Sequence, residues 1–148
     1  MTEVSFHFNA ANKFEHLLRV IRKGHRLGAR LVVVAPEARL HRIDQGLWVH
    51  FGQEFIAHAR LSASPEVVSR SPIVLATPDQ DLKAAPHHEV LVSATDELVT
   101  GFGAFERVIE VVSQEETDRD LARLRWAQYA ERGYVIQRLD LAAQKDAA

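Results

Sequence analysis

The sequence predicts an α/β fold, a mixed and mostly parallel sheet with flanking helices. Three observations carry that expectation. Strand-like and helix-like segments alternate from the N-terminus in the order β-α-β-α. Leu31–Ala35 (Leu-Val-Val-Val-Ala) is a continuous, largely β-branched run, as a strand covered on both faces requires. Near the C-terminus a long polar helix is followed by one last strand, which returns the chain to the sheet. No linker or internal repeat divides the 148 residues, so residues 1–148 read as one domain.

Taken in order, Val4–Asn9 alternates apolar and polar side chains, the mark of a half-buried strand. Asn9–Asn12 makes a turn with capping residues, and a helix follows over Phe14–Leu27. Phe14, Leu17, Leu18 and Ile21 recur there at helical spacing, and Gly28 closes the element. After Leu31–Ala35, Pro36 suits the first turn of a helix that runs to about Trp48 through Leu40, Ile43 and Leu47. From Val49 the pattern loosens into a loop with a short extended piece, and Leu61–Ser71 reads as irregular. Ile73–Ala76 is a short buried strand between Pro72 and Pro78, and Asp79–His88 a surface connection. Val90–Ser93 is a strand, Asp96–Gly103 a loop, and Phe105–Val112 another strand. Tyr134–Leu139 is the last strand, and Asp140–Ala148 is expected to fray.

Composition narrows the function classes. A net charge of −2 argues against general attraction to nucleic acid. Arginine greatly outnumbers lysine, which favours bidentate recognition of carboxylates or phosphates. With no cysteine there is no disulfide framework, thiolate nucleophile or Cys-ligated metal. No apolar run approaches a membrane span and no signal-peptide pattern opens the chain, so a cytoplasmic protein is expected.

The motifs of common chemistries are missing. The first strand-to-helix turn, Asn9-Ala10-Ala11-Asn12, lacks the glycines that let a backbone approach a pyrophosphate. Gly101-Phe102-Gly103 begins like that fingerprint, but Glu106 stands where its third glycine belongs. There is no Gly-x-Ser-x-Gly elbow and no Walker lysine. The eight histidines are scattered without metal-ligand spacing. The reading is of a protein that is not an enzyme, with no nucleotide or metal cofactor.

The most informative stretch runs from Gln114 to Tyr134. Glu115, Glu116, Asp118 and Asp120 load its start with negative charge, and Arg123, Arg125 and Arg132 follow, as a helix macrodipole favours. Thr117 or Asp118 can cap the start and Gly133 the end. At about 100° per residue, Arg119, Arg123, Trp126 and Ala130 share one stripe. Leu121 and Leu124 point roughly the opposite way and are the expected core face, with Ala122 and Tyr129 on the flank between. Two readings fit the stripe: a solvated face with Trp126 covered by a neighbouring segment, or a binding face for something anionic and apolar. A second unusual stretch, Ile43–His58, gathers Trp48, Phe51 and Phe55 around a helix exit. Those aromatics either cap the sheet edge or form a partner surface.

Together these residues resemble the chi subunit family of the bacterial DNA polymerase III holoenzyme. The resemblance spans essentially the whole chain. It rests on Ile43-Asp44-x-x-Leu47-Trp48, on Phe55-Ile56-x-His58, and on Leu121-Ala122-Arg123-x-Arg125-Trp126-x-x-Tyr129 followed by Gly133-Tyr134. It implies a Rossmann-like, non-catalytic accessory subunit of the clamp-loader assembly with two protein contacts. One is the psi subunit, through Trp48, Phe51 and Phe55. The other is the acidic C-terminal tail of single-stranded DNA-binding protein, which ends in a proline and a phenylalanine bearing the free carboxylate, through Arg119, Arg123 and Trp126. Nucleic acid would then be engaged only indirectly. The alternatives are a small nucleotide-binding α/β enzyme and a direct single-stranded DNA binder. The chain departs from the family pattern at Trp126, commonly tyrosine, at Ala127, a lysine in some members, at Ala57, frequently proline, and at Val49-His50.

Overall fold

The computed structural model of the protein describes residues 2–49 and 54–143. Seven strands form one sheet: β1 (Glu3–Ala10), β2 (Leu31–Val34), β3 (His58–Arg60), β4 (Ile73–Ala76), β5 (Val90–Ser93), β6 (Arg107–Ser113) and β7 (Ile136–Asp140). Their order across the sheet is β3-β4-β2-β5-β6-β1-β7. Every strand pair among the described residues is parallel, so the sheet is more uniform than the mixed one expected. The described residues also form four α-helices: α1 (Lys13–Arg26), α2 (Glu37–Val49), α3 (Pro65–Arg70) and α4 (Glu116–Glu131).

The helices cover both faces. Connections that run one way along the sheet, β1 to β2 and β2 to β3, carry α1 and α2. Those that run back carry α3 and α4 on the other face, as a single crossover handedness requires. Successive strand residues divide accordingly. Leu31, Val33, Leu75 and Val92 pack with Leu17, Leu18 and Ile43 of α1 and α2. Val32, Val34, Val74 and Leu91 belong to the opposite core with Val68, Ala122 and Tyr129 of α3 and α4. β2 is buried throughout between β4 and β5, the place its β-branched run indicates.

Local chemistry sets the boundaries. The Asn12 side chain accepts from the Glu15 N–H at 3.1 Å and caps α1. Gly28 follows with φ +76°, a left-handed turn in which a side chain would be strained. Gly46 lets α2 approach α1, since a Cβ there would lie 3.0 Å from Leu18 and Phe14.

Several expectations need correction. Leu61–Ser71 is not irregular: Pro65 starts α3 at a position where its missing N–H costs nothing, and Val68 turns inward. The last long strand begins at Arg107, because Phe105 closes a one-turn 3-10 helix over Phe102–Ala104. A similar turn, Leu82–Ala84, interrupts the connection before β5. Residues 141–143 make a helical turn whose Ala142 N–H donates to Asp140 Oδ1 at 3.0 Å, so the first part of the expected frayed segment is structured, and residues 144–148 lie outside the described residues.

One polar cluster lies inside the second core. Arg125 Nε donates to Glu110 Oε1 at 3.0 Å and Tyr129 Oη to Glu110 Oε2 at 2.7 Å. Arg125 Nη1 also donates to the Asp96 carbonyl at 3.0 Å. Burial pushes the Glu110 carboxyl up, opposed first by the Arg125 guanidinium. Burial and the facing Glu110 push the Tyr129 hydroxyl far up, which keeps it a neutral donor. On the other face, His7 Nδ1 and His16 Nε2 lie 3.0 Å apart between β1 and α1.

Three predictions follow from this packing. Val33→Asp should unfold the protein or lower its stability by several kcal/mol, about the cost of an unpaired buried carboxylate, in a denaturant titration. Arg125→Met should cost about 3–5 kcal/mol by stranding Glu110, and adding Glu110→Leu should recover much of that loss. The third concerns acid. Burial, then His16 and the charges of Arg107 and Lys23, lower His7 to about 4, and burial also lowers His16. The fold therefore keeps neutral rings that the unfolded chain protonates below 6.5. The unfolded state binds more protons, so stability should fall as pH drops from 6.5 towards 4. Comparing denaturant midpoints at pH 7 and 5.5 checks this, and His7→Gln should shrink the difference.

Candidate functional site

α4 starts on a tight arrangement of side chains. The Glu115 N–H donates to Ser113 Oγ at 3.2 Å, and Asp118 reaches back to accept from the Ser113 N–H at 2.8 Å. Lys13 Nζ lies 3.0 Å from the same carboxylate. Burial pushes the Asp118 carboxyl up, but the Ser113 N–H and the Lys13 ammonium outweigh it and hold the group below its ordinary value. The helix ends as the sequence indicates: Gly133 has φ +84°, its N–H donates to the Ala130 carbonyl, and the Tyr134 N–H donates to the Tyr129 carbonyl.

The face that α4 buries differs from the one its leucines suggest. Ala122, Arg125 and Tyr129 are inward. Leu124 is 64% exposed and Leu121 is only half-buried, so neither forms the core face. The reason is electrostatic. Arg125 must meet Glu110 on β6, and turning the helix to place Leu121 and Leu124 inside would strand that buried carboxyl.

This rotation brings Arg119, Arg123 and Trp126 to the flank of the helix nearest β1 and β7. All three line one cavity of about 290 Å³. Its floor is aromatic: Phe6 and Phe8 of β1 line it, and the Phe6 ring centroid is 5.1 Å from that of Trp126. Arg119 lies seven residues before Trp126, about 10 Å along the axis, so the cavity runs from an apolar end at Trp126 to a polar end near Asn9 and Ser113. Arg119 and Arg123 are exposed and Trp126 is half-buried. Arg123 pairs with Asp120 at 2.7 Å, but both are largely solvated, so an incoming carboxylate displaces that contact at little cost. Sequence reasoning missed one cation here. Arg138 of β7 lines the same cavity, and its guanidinium carbon is 5.9 Å from the Trp126 ring centroid. Its signal is the strand register, which sets Arg138 beside Phe6.

A second surface lies at the other edge of the sheet. Ile43, Leu47 and Ile56 are buried, whereas Trp48 is 58% and Phe55 65% exposed. The two exposed rings pack with centroids 5.7 Å apart, and Trp48 also meets His58 in a tilted contact at 4.8 Å. His58 is fixed between the Ile56 carbonyl, 2.8 Å from Nδ1, and Asp44, 2.7 Å from Nε2. Arg22 and Arg26 hold Glu54, next to Phe55, at 2.6 and 3.1 Å. Phe51 and His50 lie outside the described residues. This patch flanks β3 and the cavity flanks β7, the two ends of the seven-strand order, roughly 30 Å apart at the usual strand spacing.

The crevice where open α/β sheets most often bind nucleotides lies at the carboxyl ends of β1 and β6, since these neighbours lead to helices on opposite faces. Here the Lys13–Asp118 ion pair links the first turns of α1 and α4 across it. Among the described residues no group of three or more His, Cys, Asp or Glu side chains could hold a metal ion, and no helix is long and apolar enough to cross a membrane.

Comparison with known proteins supplies the lineage. Residues 1–137 match the family model described as "DNA polymerase III chi subunit, HolC". The chain is similar to the DNA polymerase III subunit chi of Pseudomonas aeruginosa, with 28% identity over 142 residues that cover 93% of this chain and 95% of the relative. It is also similar to the subunit chi of Escherichia coli K12, with 25% identity over 112 residues covering 75% of this chain and 74% of the relative. With the matched region spanning nearly all of the α/β domain described above, the chain belongs to the DNA polymerase III chi subunit family, a family of accessory subunits in DNA replication.

Proposed function

We propose that this protein is a non-catalytic adaptor of the cytoplasmic replication machinery that holds two protein partners at opposite edges of its sheet. The cavity between α4 and β7 takes the acidic C-terminal tail of single-stranded DNA-binding protein. The Trp48–Phe55 patch docks the psi subunit, which connects the adaptor to the clamp loader. Single-stranded DNA is engaged through its binding protein rather than by this chain.

The observation that carries this reading is the meeting of Arg119, Arg123 and Trp126 at one cavity with an aromatic floor. A ligand that fits must carry negative charge and a large apolar group within a few ångströms of each other. An acidic chain end finishing in phenylalanine has that combination. Charge-assisted hydrogen bonds to the arginines are each worth about 1.5–3 kcal/mol. An aromatic contact with Trp126 adds about 0.5–1.5 kcal/mol beyond the area it buries.

Calorimetric titration with a synthetic tail peptide tests the first contact. Arg123→Ala should weaken binding about tenfold or more, roughly one lost charge-assisted bond, with an unchanged melting temperature. Arg119→Ala should weaken it somewhat less. Binding should also decline with salt, since the screening length falls from about 10 Å at 0.1 M to about 3 Å at 1 M. A double Arg119→Ala, Arg123→Ala protein with unaltered affinity and salt dependence would remove this helix from the site. For the second contact, Trp48→Ala or Phe55→Ala should leave the fold intact and weaken psi by about 2 kcal/mol or more, the size of an interface hot spot. Tight binding of a bare oligonucleotide, or a melting shift with millimolar ATP or NAD, would instead favour a direct DNA binder or a nucleotide enzyme.

A further inference from the structure

We propose that Arg138 is a specificity-determining residue of the α4–β7 cavity, and that it pairs with the terminal carboxylate of the bound tail while Arg119 faces acidic side chains further back along the peptide. The inference rests on the tail-binding reading above and assigns a role within that site to a residue outside α4.

β7 is an edge strand paired only with β1 among the described residues, and its register sets Arg138 level with Phe6. Phe6 is the ring against which Trp126 packs, so Arg138 stands at the apolar end of the cavity. Its guanidinium faces Trp126 at 5.9 Å from the ring centroid, close enough for cation–π attraction that keeps the charge poised there. A ring seated on Trp126 as the last residue of a chain carries its carboxylate within a few ångströms of that ring. Arg138 therefore stands beside that charge, with Arg119 some two helical turns away.

The arginines of α4 differ from Arg138 in their surroundings. Arg123 shares its guanidinium with Asp120 until a ligand displaces that exposed contact. Arg125 is buried against Glu110 and the Asp96 carbonyl, facing the core. Arg138 has no carboxylate partner among the described residues, and its side chain is exposed. Position 127, where a lysine could have supplied a helix-borne charge, is Ala127 and exposed. A planar guanidinium delivered from the sheet side offers two parallel donors to a carboxylate, a geometry that a lysine ammonium cannot match.

The test is a thermodynamic cycle on the full chain, with one acidic peptide ending in Pro-Phe made in free-acid and C-terminally amidated forms. Arg138→Ala should weaken the free-acid peptide about tenfold, the loss of one charge-assisted bond, and barely change the amidated one. Arg138→Lys should restore only part of the loss, because it returns the charge without the fork. Melting temperatures of both variants should stay at the wild-type value, as the side chain is exposed. Equal weakening of both peptides, or of neither, while the wild-type protein binds the free-acid form, would overturn this assignment and leave the cavity as the tail site. Failure of the wild-type protein to bind either peptide would overturn the tail reading itself, and this assignment with it.

Discussion

The buried contact among Glu110, Arg125 and Tyr129 sets the rest of the functional architecture. A carboxyl at the centre of β6 has no water to turn to, so the structure must supply donors, and α4 supplies both. Meeting that demand fixes the rotation of α4 about its own axis. With Arg125 and Tyr129 inside, Trp126 is brought onto Phe6 and the exposed arginines beside β7. Leu124 is left facing solvent as a consequence. An apolar core at this position would hold the helix as firmly but would not choose among rotations so sharply.

The same sheet separates the two candidate surfaces. Its topology places β3 at one edge and β7 at the other, with five parallel strands packed on both faces between them. Such a slab is a stiff spacer. Ligands at its two edges would neither compete for space nor share side chains. The customary ligand position of the fold, at the β1–β6 switch, carries the Lys13–Asp118 ion pair in the wall of a cavity of about 700 Å³. The function proposed for this chain would use the edges of a fold more often used at its centre.

The Asp44–His58 contact has a comparable local role at the far edge. It joins the last turns of α2 to β3 and backs Trp48 from below, while Ile43, Leu47 and Ile56 anchor the segment in the core. The motif residues at this edge thus divide into supports and presented rings. Spacing alone left open whether Trp48 and Phe55 were buried, because an aromatic at a helix exit suits either place; their exposure is a property of the folded chain.

By itself the sequence determined the element order apart from α3, the central place of Leu31–Ala35, the glycine-marked ends of α1 and α4 (though not the start of α4, whose cap position is Glu115 rather than Thr117 or Asp118) and the family resemblance. These are legible because they depend on local matters: the period of apolar residues, β-branched runs, and glycine or asparagine at turns. It also marked Arg119, Arg123 and Trp126 as one stripe, since helical geometry requires only neighbours along the chain. It misjudged which stripe α4 buries, because periodicity ranks leucine above arginine for the interior and cannot see a carboxyl on another strand. Only the tertiary structure decided that Arg125 goes inside, that α3 forms from a stretch without clear periodicity, and that Arg138 joins the stripe. The physical reason is the same in each case. Burial and charge pairing are settled between segments far apart in the chain, and strand order, β7 beside β1, determines which of those segments meet.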